Sequence, residues 1–179
     1  MLYQDRKEFI AVLLIVVLSV VIGLLLINQQ SELQIIRPET EMLLDKEDFY
    51  VSTDKGSIRV GESSWEEIQK LLPGGKMLGM STIYQSKEGD CLFTFSEDEN
   101  LLLIMHIEGG DFATARGIKI GDSFDKISQE YGTDCARVIM PQKAEDFDLV
   151  YGGENNIVFQ IRDNVVKRIV LEKELSLKQ

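Results

Sequence analysis

The chain says one phrase twice. SIRVGESSWEEIQKLLPGG begins at Ser57, and GIKIGDSFDKISQEYG begins at Gly117. Ile58, Val60 and Gly61 align with Ile118, Ile120 and Gly121. After one extra serine in the first copy, Ser64, Trp65, Ile68 and Leu72 align with Ser123, Phe124, Ile127 and Tyr131. Alternation before the glycine predicts a short strand, and the apolar spacing after the serine predicts a helix of about ten residues. Ser64 and Ser123 are placed to accept a hydrogen bond from an orphan amide at the helix start. Glu67 completes a capping box in the first copy, where the second has Lys126. Pro73, Gly74 and Gly75 end one helix and Gly132 the other. A unit with one apolar face needs a second element to cover it, so the repetition favours two halves packed together.

The likeness continues beyond the helices. DCLFTFSEDENLLLIMHIEGG, from Asp90, places Phe93 and Phe95 before a polar turn and then an apolar strand. NNIVFQIRDNVVKRIVLEKE, from Asn155, places Phe159 and Ile161 before a turn at Asp163 and Asn164 and then a strand from Val165 to Leu171. Both read as hairpins with one core face. The expected fold class is α+β, with two tandem units of strand, helix and antiparallel meander over 49–110 and 111–179.

With its hairpin-rich continuation, the phrase ARGIKIGDSFDKISQEYG resembles the repeat unit of the beta-lactamase inhibitory protein-like fold. It is also similar to the small outer-membrane assembly lipoproteins of the SmpA and OmlA type, which share an I-x-x-G-x-[ST] phrase. The resemblance covers roughly residues 56–173 in two copies. It implies short helices packed on antiparallel sheet and binding of other proteins without catalysis. The lipidated cysteine of the assembly lipoproteins is missing.

Ahead of the repeat lies FIAVLLIVVLSVVIGLLLI, Phe9 to Ile27, 19 residues without a charge. As a helix it would reach about 28 Å, near the thickness of a bilayer core. It is longer than a signal-peptide apolar core and lacks a small-residue cleavage site, so an uncleaved membrane-spanning helix is expected, in contact with membrane lipid. Arg6 and Lys7 precede it and Arg37 is the first cation after it, which favours an N-terminus inside and a C-terminal domain outside the cytoplasmic membrane. Residues 1–8 then form a short cytoplasmic segment, 9–27 the span and 28–48 a stalk broken by Pro38.

The formal net charge is −11, which makes nucleic acid a poor partner and leaves a basic protein or a cation open. Cys91 and Cys135 are the only cysteines. An oxidising exterior permits a bridge between them, while Cys91 shares strand parity with Phe93 and Phe95 and equally suits a buried thiol. His106 is the only histidine, so no histidine-rich metal site can be built, and no nucleophile-elbow or phosphate-loop motif occurs. No catalytic, cofactor or metal residue is assigned.

The candidate interaction residues are Glu97, Asp98 and Glu99 in the hairpin turn, and Leu101, Leu103 and Met105 on the strand that follows. Trp65, matched by Phe124, reads as core. Together these features predict a membrane-anchored, extracytoplasmic protein-binding module, a non-catalytic accessory subunit of a bacterial envelope complex with a protein partner at the membrane surface. One alternative is an envelope-polymer enzyme, or its regulator, using Asp146 and Asp148 as acid and base. Another is a small-ligand or cation sensor.

Overall fold

The structure, a computed structural model, describes residues 33–174 apart from 41, 80, 81, 99, 141, 142 and 144. The chain divides into two units, Met1–Leu33 and Gln34–Gln179. The first, and with it the run 9–27 expected to span a membrane, lies outside the described residues except for Leu33. Among the described residues no helix is long and apolar enough to cross a membrane.

The second unit is built mostly of strands, and this corrects the α+β expectation. In chain order they are β1 (Gln34–Ile36), β2 (Tyr50–Thr53), β3 (Gly56–Arg59), β4 (Lys76–Met77), β5 (Ile83–Gln85), β6 (Cys91–Phe95) and β7 (Leu102–Ile107). Then follow β8 (Ala113–Thr114), β9 (Ala136–Ile139), β10 (Phe147–Gly152), β11 (Asn156–Arg162) and β12 (Val165–Glu172). The two α-helices, α1 (Trp65–Leu71) and α2 (Phe124–Tyr131), have only seven and eight residues. Each is started by its serine: Ser64 accepts from the Glu67 amide within a full capping box, and Ser123 accepts from the Lys126 amide. They are shorter than expected because α1 runs straight into Leu72 and Pro73, while α2 stops at Gly132, whose φ of 78° is a left-handed conformation.

The two repeats share one sheet. Nine strands form one antiparallel sheet in the order β1-β9-β10-β11-β12-β7-β6-β5-β4, and β3-β2-β8 form a second. In the large sheet, β7 of the first meander pairs with β12 of the second, His106 lying opposite Val170. In the small sheet β8, after the first meander, pairs with β2 before it. The stretch expected as a stalk also joins in from Gln34 onward. β1 pairs with β9, Asp48 is buried, and Met42 and Leu44 pack against the core.

The repeated phrase makes repeated hydrogen bonds. The Gly61 amide donates to the Leu102 carbonyl at 2.6 Å and the Gly121 amide to Val166 at 2.9 Å. The Leu102 amide returns to Ser63 at 2.9 Å and the Val166 amide to Asp122 at 2.9 Å. Trp65 and Phe124 donate to the carbonyls of Asn100 and Asn164, two asparagines with φ of 57° and 63°. Gly61 and Gly121 have φ of 88° and 89°, a conformation that costs a residue with Cβ and explains why both copies carry glycine there. A β-bulge also recurs, between Thr94 and Phe95 in the first meander and between Gln160 and Ile161 in the second.

One hydrophobic cluster runs through the unit, joining Phe93, Met105 and Ile107 of the first meander to Phe159, Ile169 and Leu171 of the second, with Ile68 and Ile127 from the helices. A bidentate ion pair closes its rim. Arg116 donates to both oxygens of Asp48, at 2.7 and 3.0 Å, and to the Glu130 carbonyl at 3.1 Å. Its guanidinium also lies 4.7 Å from the Tyr131 ring centre. Asp48 is only 3% exposed, so removing its charge strands the guanidinium against an uncharged partner.

Both cysteines are free, and of the two readings left open by the sequence Cys91 takes that of a buried thiol. Cys91 is on β6 and Cys135 immediately precedes β9, five strand spacings away in the sheet. At about 4.8 Å per spacing that is roughly 24 Å, against the roughly 7 Å a disulfide tolerates. Alkylation of the unfolded chain without reductant is expected to label two thiols; an unlabelled pair joined by a reducible bond would refute the fold at this point. Asp48→Asn is expected to lower the unfolding free energy by about 3 kcal/mol in urea denaturation, and a change within about 0.5 kcal/mol would remove the ion pair from the account.

Candidate functional site

The β6–β7 turn carries the acidic residues singled out from the sequence. Its base is closed by the Ser96 amide donating to the Leu101 carbonyl at 2.8 Å and the Leu101 amide donating to Ser96 Oγ at 3.1 Å. Glu97 and Asp98 are exposed above it, and Glu99 lies outside the described residues. Leu101 and Leu103 are half-buried. Met105 is a correction: it is 0% exposed and belongs to the core. Simple alternation placed Leu101, Leu103 and Met105 on one face. Thr94 pairs with Ile104 but Phe95 with Leu102, so the bulge leaves Leu103 as the extra residue and reverses the parity beyond it.

Beside this turn opens a pocket of about 300 Å³ lined by Trp65, Met77, Thr82, Phe95 and Asn100. Trp65 is half-buried, at once packed on the core and facing the pocket. Its indole is held edge-on by Tyr84, at 4.7 Å between ring centres, and by Phe95, at 5.6 Å. Tyr84 is itself fixed, its hydroxyl donating to the Leu72 carbonyl and accepting from the Gly75 amide, both at 2.9 Å. A Cβ at Gly75 would collide with the Gln85 carbonyl oxygen and the Tyr84 hydroxyl, so glycine permits this close approach. Met77, on the edge strand β4, is 41% exposed. The pocket is thus an apolar recess with rigid aromatic walls, a flexible thioether at its lip and two exposed carboxylates on the neighbouring turn. Sequence reasoning missed Met77 and Thr82, which lie between the helix and the hairpin where the two copies no longer align by eye.

The other candidates do not converge. Asp148 accepts from Arg162 at 2.8 Å, and Asp146 pairs with Lys143 at 3.4 Å and accepts from the Asp163 amide at 3.3 Å. Both carboxylates proposed as acid and base are therefore engaged structurally. A larger open groove of about 630 Å³ lies between β3 and α1, with Lys55, Arg59 and Lys70 at its margins. Its carboxylates are committed, Glu62 to Arg59 at 3.3 Å and Glu67 to the Ser64 amide at 2.9 Å. Among the described residues no group of three or more His, Cys, Asp or Glu side chains is arranged to hold a metal ion.

No family model matches the chain, and no curated protein matches it. Among solved structures it is similar to a DUF4309 family protein (YjgB) from Bacillus subtilis subsp. subtilis str. 168. The two are 13% identical, with a TM-score of 0.45 and coverage of 65% of this chain and 82% of that one. A likeness at that level carries no functional argument. Nothing in these comparisons indicates catalysis.

His106 is half-buried on β7 between Leu92 and Val170. Burial lowers its pKa from the ordinary 6.5, and Arg168 lowers it further against the opposing pull of Glu108 and Glu172. A folded-state pKa below the unfolded one means the neutral imidazole favours the fold. That contribution is complete above pH 6.5 and is lost as pH falls toward the folded value. Between pH 7.5 and 5.5 the thermal midpoint of the wild type is expected to drop more than that of His106→Gln. Parallel profiles would show that His106 does not contribute.

Proposed function

We propose that this domain is a non-catalytic module that binds another protein at the outer face of a membrane. The observation that supports it best is the open recess at Trp65 and Met77 beside the exposed Glu97 and Asp98. Interface centres favour this combination: a tryptophan held rigid by neighbouring rings, a methionine able to adapt, and a charged rim. The ion-paired state of Asp146 and Asp148 argues against the enzyme alternative. Location rests on the sequence, where the uncharged run Phe9 to Ile27 and the cations Arg6 and Lys7 favour membrane attachment with the domain outside. Tethering would raise the local concentration of the module for partners in the same membrane. The resemblance to inhibitor-like and assembly-lipoprotein repeats points the same way.

In-cell crosslinking followed by affinity capture, with the full chain beside residues 1–33 alone, tests this. A protein retained by the full chain only, and bound again after purification, is the expected result. Equal recovery with both baits would overturn the reading.

A further inference from the structure

The second meander shows what the first one's pocket is shaped to take. The recurrent bulges anchor the two copies: Phe95 pairs with Leu102 beyond one bulge, and Ile161 pairs with Val166 beyond the other. Counting outward across the sheet, Phe93 pairs with Tyr84 and Tyr84 with Met77, while Phe159 pairs with Leu149 and Leu149 with Arg137. The Phe95 amide donates to the Thr82 carbonyl, and Ile161 pairs with Phe147. Thr82 therefore corresponds to Phe147, and Met77 to Arg137. The pocket residues Trp65, Phe95 and Asn100 correspond to Phe124, Ile161 and Asn164.

At the second position the space is occupied. The Phe147 ring is 4% exposed and sits edge-on to Phe124, 5.5 Å between centres. The Arg137 guanidinium covers it at 3.6 Å from the ring centre. The Arg137 Nε has no hydrogen-bond partner, and the guanidinium stacks on the ring in a cation–π contact. In the first copy threonine stands where the ring would originate, and the recess is lined by Trp65, Met77, Thr82, Phe95 and Asn100. The turn above is also longer, since seven positions separate Phe95 from Leu102 and five separate Ile161 from Val166. The added length carries Glu97 and Asp98. Lys76, the nearest cation on β4, lines a different hollow with Gln85 and Ser86.

We infer that the Trp65–Met77 pocket receives an aromatic side chain from a partner polypeptide, with lysine or arginine residues flanking that side chain and meeting Glu97 and Asp98. The partner's ring takes the place that Phe147 fills within the second copy, and its cations meet the two carboxylates of the longer turn. Rim charges of this kind steer and select, while the buried ring provides the anchor. This inference rests on the protein-binding reading and names the chemistry of the segment that is bound.

Trp65 is the only tryptophan, so its fluorescence reports occupancy directly. The full chain is titrated with a tryptophan-free probe peptide, Gly-Ser-Lys-Lys-Phe-Lys-Lys-Ser-Gly, and with versions carrying alanine for the phenylalanine or glutamate for the lysines. Saturable change in Trp65 emission with the first peptide, and at least about tenfold weaker binding of the other two, is expected. Thr82→Phe copies the second meander's own filling and is expected to keep or raise the thermal midpoint while abolishing the response. Should that variant fail to fold, Glu97→Lys with Asp98→Lys leaves the recess intact and is expected to reverse the preference between basic and acidic probes. No response to the basic aromatic peptide, or equal responses from wild type and the folded variants, would overturn the inference. If Thr82→Phe still captures the crosslinked partner, the module reading stands and the pocket assignment falls. If neither chain captures a partner, both fall.

Discussion

The pairing of β7 with β12 is the contact on which the rest of the domain depends. Each meander presents the final strand of its hairpin as an edge, and an apolar strand edge left open in water is both unstable and adhesive. Joining the two edges removes both liabilities at once. The register is nearly symmetric: His106 faces Val170, its own counterpart in the other copy, and Met105 faces Leu171 while Ile107 faces Ile169. These flanking residues form a continuous buried floor, on which the helices and the small sheet rest. With one shared core, neither meander is expected to be stable without the other.

Symmetry of the backbone did not bring symmetry of the side chains. Hydrogen bonds set by the glycine, the serine cap and the left-handed asparagine recur in both copies, because those positions answer to backbone geometry. Thr82 and Phe147, or Met77 and Arg137, answer only to what fills the space above the helix start. A filled site adds apolar burial and an aromatic contact to stability. An open one gives those up and leaves a rigid recess at the surface. Such a departure between copies that share a frame is where function is best sought, since neither folding nor register requires it.

Parts of both fold and site were legible in the chain. The serine caps, the capping box at Glu67 and the two hairpins follow from local chemistry, and each appears where the residues place it. The exposure of Glu97 and Asp98 followed equally from their position in a polar turn. The face of Met105 did not follow, because a bulge changes parity without leaving a clear mark in the residues that flank it. The disulfide alternative failed for a related reason, since separation along the chain says nothing of how many strands lie between two cysteines. Thr82 was hidden because the copies differ in length between helix and hairpin, and only cross-strand pairing aligns it with Phe147.

By itself, then, the sequence determined the repeated unit, the capped helix starts, the acidic surface and an uncharged apolar run ahead of the domain, all of them properties read within a few turns or a strand's length. Tertiary structure decided that the two repeats share one sheet, that Gln34–Ile36 form its edge strand, and that one copy of a common recess is filled while the other is open. Those outcomes depend on which edges meet and on the space left between packed side chains. Both are set by contacts between residues far apart in the chain, which local pattern does not record.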